Sequence, residues 1–130
     1  MVNSLLIGKL IYNNLSDITE VTDRVGGNIY PIVAPDQTTF PFIVYTRTNA
    51  YVNITTKDGY MGDVVTFQIS VASDTYIEGC EIANEIRNGF ENCQISSEDL
   101  LLYNIRMTNC SETFSDDTYI QTLYFECTAE

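Results

Sequence analysis

The sequence contains no histidine and no tryptophan, and only six lysines and arginines among its 130 residues. Without histidine the chain lacks the commonest general base and the commonest metal ligand near neutral pH. A cysteine nucleophile would need another activator, and the six cations are scattered along the chain. None of the phosphate-loop, dinucleotide, nucleophile-elbow or zinc-helix motifs occurs. Nor is there the basic, aromatic-rich groove that binds single-stranded nucleic acid. The first apolar run stops at Ile7, before Gly8 and Lys9, too short to cross a bilayer and lacking the basic start of a secretion signal. The expectation is a protein that is not an enzyme, holds no cofactor or metal, binds no membrane and is made in the cytoplasm.

What is abundant is acid. The formal charge is −12, and it is unevenly placed. Residues 1–50 carry a net charge of −1 and residues 51–130 a net charge of −11. Such a surface repels nucleic-acid phosphate and anionic lipid. It suits a passage through which DNA slides without sticking, and it equally suits plain solubility. Carboxylates also raise the two-carboxylate hydrolase and the oxygen-ligand cation site. Asp116-Asp117 and Glu98-Asp99 fall where turns are expected, however, and Glu112, Asp116 and Asp117 match no known ligand spacing. Three glycosylation sequons, at Asn14, Asn53 and Asn109, read as chance in a sequence rich in Asn, Ser and Thr.

Cys80, Cys93, Cys110 and Cys127 include no C-x-x-C pair. Cys110 and Cys127 fall in the two arms of an expected hairpin. A turn near residues 112–117 sets Cys127 opposite a residue near Leu101, about 30 Å along the strand from Cys110. Buried, reduced thiols acting as small apolar groups are expected.

A single domain spans residues 1–130, with 45% hydrophobic residues to build its core. Val2, Leu5, Leu6, the stem of Lys9, Leu10 and Tyr12 or Asn13 recur at helical spacing, predicting a helix over 3–15. A second helical turn over 17–24 has Asp17 and Glu20 suited to its start and Gly26-Gly27 to its end. Strands are predicted over 28–33, 41–50, 63–72, 100–110 and 118–128. In the third, Val65, Phe67, Ile69 and Val71 alternate with polar or small residues. In the fourth, Leu101, Tyr103, Ile105 and Met107 are expected on one face. In the last, Leu123, Phe125 and Cys127 share a face. Asp58-Gly59 predicts a hairpin turn pairing residues 57 and 60, with 51–62 extending as an arm. Thr75 and Glu78 match a capping box opening a helix over 75–92, whose buried stripe is Gly79, Ile82, Ala83, Ile86 and Phe90. Glu78, Glu81 and Glu85 occupy another of its faces. The economical architecture is α+β: a mainly antiparallel sheet of about five strands with two or three helices packed on it.

The order of segments carries more than any one of them. Asn28-Ile29-Tyr30-Pro31 leads through a Pro-bearing loop to Phe40-Pro41-Phe42-Ile43-Val44-Tyr45. The strand Val65–Val71 then runs into Ser73-Asp74-Thr75-Tyr76-Ile77-Glu78-Gly79 and a helix. Over residues 28–90 this resembles the tail-completion (tail-terminator) proteins of bacteriophages; the last forty residues resemble them in topology only. The resemblance implies a tail-terminator-like fold assembled as a six-fold or twelve-fold ring in the virion. That ring would cap or join the tail at the head–tail junction, touching the tail tube or tail hub protein and the head connector. DNA would pass through it without specific binding. On this reading Tyr51, Ile54, Lys57, Asp58, Tyr60 and Met61 form an arm contacting a neighbouring subunit or the tail, and Glu78, Glu81 and Glu85 form a channel-facing stripe. The rival from another class is an acidic DNA mimic that occupies a basic nuclease or repressor. It would bind with strong salt dependence and remain a monomer or dimer.

Overall fold

The computed structural model describes residues 3–56 and 59–130, and for residues 53–56, 60 and 61 it describes the backbone. After a 3-10 turn at Ser4–Leu6 come α1 (Ile7–Asp17) and α2 (Thr19–Val25). β1 (Ile29–Pro31), β2 (Phe42–Thr56) and β3 (Gly59–Ser73) follow, then α3 (Tyr76–Phe90). β4 (Ile95–Ser96), β5 (Leu101–Ser115) and β6 (Thr118–Ala129) complete the chain. The strands form one sheet in the order β1-β2-β3-β6-β5-β4, curled into a half-barrel. No helix among the described residues is long and apolar enough to cross a membrane.

The α+β class is as expected, but the sheet has six strands and is mixed. β1 runs parallel to β2, because residues 32–41 carry the chain back before β2 begins. Every other neighbour is antiparallel. The sixth strand, β4, is two residues long, too short to leave a periodic signal.

The sheet is two long hairpins, β2–β3 and β5–β6, joined where β3 pairs with β6 from Asp63↔Ala129 to Ser73↔Tyr119. Alternation explains that seam. Val65, Phe67, Ile69 and Val71 on β3 and Leu123, Phe125 and Cys127 on β6 are buried on the same face. α3 covers the seam with Gly79, Ile82, Ala83, Ile86 and Phe90, the stripe read from its 3.6-residue period. At the centre Phe67 and Phe125 are register partners with stacked rings 5.2 Å apart. Phe90 leans on both, at 6.0 and 5.6 Å. α1 packs against β2 and α3, and α2 fills the layer beside them. A Cβ on Gly89 would overlap Ile18, so α3 approaches this layer only because that position is glycine.

Several local expectations are corrected. Leu5 and Leu6 are exposed; the buried stripe of α1 is Ile7, Leu10, Ile11 and Leu15. Asp17 ends α1, and α2 starts from Ile18 without a side-chain cap. No capping box forms at α3. Thr75 is the N-cap, but the Ser73 hydroxyl accepts from the Thr75 amide at 3.1 Å and donates to the Thr75 carbonyl at 2.9 Å. On β5 the expected face breaks at a bulge between Tyr103 and Arg106, where Asn104 has φ +53°; Leu102 and Ile105 therefore both point inward. At the tip of the β2–β3 hairpin Thr56 pairs with Gly59, in place of 57 with 60. Core pairing of Ile43 with Val71 sets the register, and bulges at Arg47/Asn49, Tyr51/Ile54 and Ile54/Thr55 adjust it. In the β5–β6 turn Asp116 and Asp117 take φ +52° and +58°, the pair of left-handed residues that a tight hairpin turn requires.

Replacing Phe67 with alanine is expected to cost about 3–5 kcal/mol in urea unfolding, since it empties the centre of the seam. Replacing exposed Tyr51 is expected to change stability by less than about 0.5 kcal/mol.

Candidate assembly surfaces

Three surfaces stand out once the core is accounted for. The first is the end of the β2–β3 hairpin. β6 stops opposite Asp63, so of the described residues only 54–56 and 59–62 project past it, by about 13 Å at the usual rise per residue. The projecting arm is thus shorter than the sequence suggested. Tyr51 pairs with Val64 inside the sheet and its side chain, like that of Val52, is exposed. Ile54, Tyr60 and Met61 have their backbones in the arm, paired as Ile54↔Gly62 and Thr55↔Tyr60. Their side chains, and Lys57 and Asp58 entirely, lie outside the described residues. Gly62 has φ +103°, and a Cβ there would stand 2.6 Å from the Ala129 carbonyl oxygen. Close packing of the arm on the end of β6 therefore depends on that glycine.

The second surface is the outer layer of α3. Arg24 at the end of α2 donates to Glu81 at 2.8 Å. That bond, and beyond it the charges of Glu81, Glu78 and Glu85, raise the Arg24 pKa against the opposing effect of burial. All three carboxylates thus act on Arg24, and Glu81 is its ion-pair partner. Arg87 pairs with Glu91 and Arg106 with Glu126, both at 2.7 Å. Among the described residues this leaves Lys9 and Arg47 as the cations without an ion pair.

The third surface lies at the β5–β6 end. Tyr76 and Phe114 flank Tyr119, with ring centroids 5.7 and 4.8 Å away. They border a shallow depression of about 240 Å³ beside Glu112 and Thr113. The Tyr76 hydroxyl and the Gln121 amide both donate to Glu112, at 2.9 and 3.0 Å. The Gln121 bond first and the Tyr76 bond second lower the Glu112 pKa. The same bond to Glu112 is the main cause pushing the Tyr76 phenol up to about 12. Pattern reading missed this cluster, because Tyr76, Phe114 and Tyr119 belong to three elements and meet only through the fold. Nearby on the face without helices, Phe42, Val44, Ala72 and Ile120 line a second depression of about 310 Å³. Among the described residues no group of three or more Cys, Asp or Glu side chains is gathered to hold a metal ion.

These surfaces are apolar, aromatic or acidic, and they belong to a chain whose order is helices, a hairpin, a covering helix and a second hairpin. The family model for tail completion protein gp17 matches residues 9–128. The chain belongs to this family. A chain from the virion of a native gene transfer agent particle is similar in structure, with a TM-score of 0.80 and 17% identity, covering 98% of this chain and 96% of that one. A second solved chain has a TM-score of 0.68 and 16% identity over 98% and 96% of the two chains. At such identities the likeness shows a shared fold. No curated protein matches the sequence. As a tail-completion protein the chain has a structural role in a phage tail.

The four cysteines carry free thiols in contrasting settings. Cys110 lies exposed on β5, directly across from Leu123, while Cys127 is buried. Burial, with a smaller contribution from Glu126, pushes the Cys127 thiol up to about 12. With a disulfide reagent at pH 8, Cys110 is expected to react within the mixing time of a spectrophotometric assay. Cys127 is expected to stay protected until denaturant unfolds the chain.

Proposed function

We propose that this tail-completion protein is a non-enzymatic, ring-forming subunit of the head–tail junction, capping or joining the tail tube to the head connector around the DNA channel. Family membership over residues 9–128 carries the reading. The chain's partners are then further copies of itself, in a six-fold or twelve-fold ring, the tail tube or hub below and the connector above. A formal charge of −12 supports passage of DNA without adhesion, since like charge repels phosphate at short range. Glu78, Glu81 and Glu85 are the residues we propose for the channel lining, with Arg24 compensating one charge. The exposed aromatic and aliphatic side chains at both ends of the sheet supply contact area for neighbours stacked along the tail axis.

Negative-stain electron microscopy of the protein mixed with purified tail tubes tests this. The expected result is rings, or stain-excluding caps at one end of each tube. A monomer that leaves tubes bare on both ends, yet binds a basic nuclease at low salt, would contradict it.

A further inference from the structure

The two outer edges of the sheet are open over complementary stretches. β1 covers β2 only at residues 43–45, with the Ile32 amide donating to the Tyr45 carbonyl as the last contact. Above that point the outer edge of β2 has no backbone partner among the described residues. On the opposite flank β4 covers β5 only at Leu101 and Leu102, and the Asn92 amide reaches the Ile105 carbonyl. Beyond Ile105, β5 runs to Ser115 with no backbone partner on its outer edge among the described residues. Open edges of this length are pairing templates unless they are blocked. Blocking is light here: neither stretch contains proline, and the charges are Arg47 on β2 and Arg106 and Glu112 on β5. Each edge has a bulge, at Arg47/Asn49 and at Met107/Asn109, where the Asn49 and Asn109 side chains hold the Ala50 and Cys110 amides that a neighbouring strand would take over.

We propose that β5 of one copy pairs antiparallel with β2 of the next, residues 107–113 against 46–52, so that one continuous sheet runs through the ring. This rests on the ring reading and names the surface that closes it. Four observations fix the occupant as a second copy. In the sheet order β1-β2-β3-β6-β5-β4, β5 runs opposite to β2, so a neighbour in the same orientation presents an antiparallel edge. The steps left by β1 and β4 lie on opposite flanks and at opposite ends, so each free edge meets a free edge. Arg47 is register-paired with Phe67 and Glu112 with Gln121, and both partners stand on the helix-bearing face. A register setting Arg47 against Glu112 therefore joins an unpaired cation to an acid on one side of the sheet. The same register brings Phe114 to the end of β1, where Ile32 and Val33 are 73% and 72% exposed and Ile32 holds φ +67°. Such a φ is rare for a β-branched residue, and here it turns two aliphatic side chains outward. Above residue 52 the further bulges at Tyr51/Ile54 and Ile54/Thr55 end the regular edge of β2, which sets the upper limit of the pairing. The contact is heterologous, the kind that closes rings.

In this register residues 48 and 49 share the bulge of β2, so Ala50 comes opposite Cys110; both stand on the helix-bearing face, register-paired with Val65 and Leu123, and the chain supplies half of its own cross-link. Ala50→Cys protein, assembled on tail tubes and oxidised, is expected to give a ladder of covalent oligomers on a non-reducing gel. Ala50→Cys with Cys110→Ser is expected to give none. If Ala50→Cys does not fold by circular dichroism, Val52→Cys with a short bis-maleimide replaces it. Rings in the micrographs without Cys110-dependent ladders would overturn the edge pairing and leave the ring reading standing. Cys110-to-Cys110 dimers in the unmodified protein would also overturn it, since they report a two-fold β5–β5 contact. Absence of rings and caps altogether would remove both.

Discussion

The pairing of β3 with β6 is the constraint on which the rest depends. Each hairpin alone would expose an apolar face, and two-stranded hairpins are marginal in water. Setting Phe67 beside Phe125 makes one sheet of them, and Phe90 locks α3 across the join. The aromatic trio gathers residues far apart in sequence at one point. Its register leaves little freedom, because a one-residue slip would turn Val65, Phe67, Ile69 and Val71 to the open face.

With the seam in the middle, the periphery follows. Strands β2 and β5 become the flanks, and short β1 and β4 cover each of them only in part. The chain's uneven charge becomes a spatial asymmetry for the same reason. Sequence that is nearly neutral builds the β1–β2 flank, and acid-rich sequence builds β5, β6 and α3. A subunit with two unlike flanks is suited to head-to-tail assembly, and self-repulsion among acids, strongest at neutral pH and low ionic strength, is a force that assembly contacts must exceed.

Where periodicity ran uninterrupted, the sequence was a sufficient guide. The alternation of β3 and the stripe of α3 were legible residue by residue; the turn near residues 112–117 was legible only in place, since β5 runs on to Ser115 and the turn itself is the pair Asp116-Asp117. Interruptions were not. One bulge at Asn104 reverses the inward face of β5, and nothing in the residues around it announces an extra residue in the strand. β1 reads as an edge strand, but its parallel direction is set by a loop that no local pattern describes. At α3 the Ser73 hydroxyl bonds the Thr75 backbone while the Thr75 side chain caps no amide, an outcome that residue spacing cannot decide. In α1 the leucines at positions 5 and 6 have helical spacing yet precede the α-helix proper, so their stripe is out of phase with the buried one. Among the site residues, the acids of α3 were found by spacing on one helix. The aromatic group at the β5–β6 end and the open edges were not, since both are properties of the assembled sheet.

Hydrogen–deuterium exchange on the free protein and on tube-bound protein compares these edges with the seam directly. The account predicts slow exchange for β3 and β6 in both states. It predicts added protection on binding in residues 46–52 and 107–113, where outward amides gain partners. Protection confined to the helical layer, with both edges still exchanging as in the free chain, would contradict it.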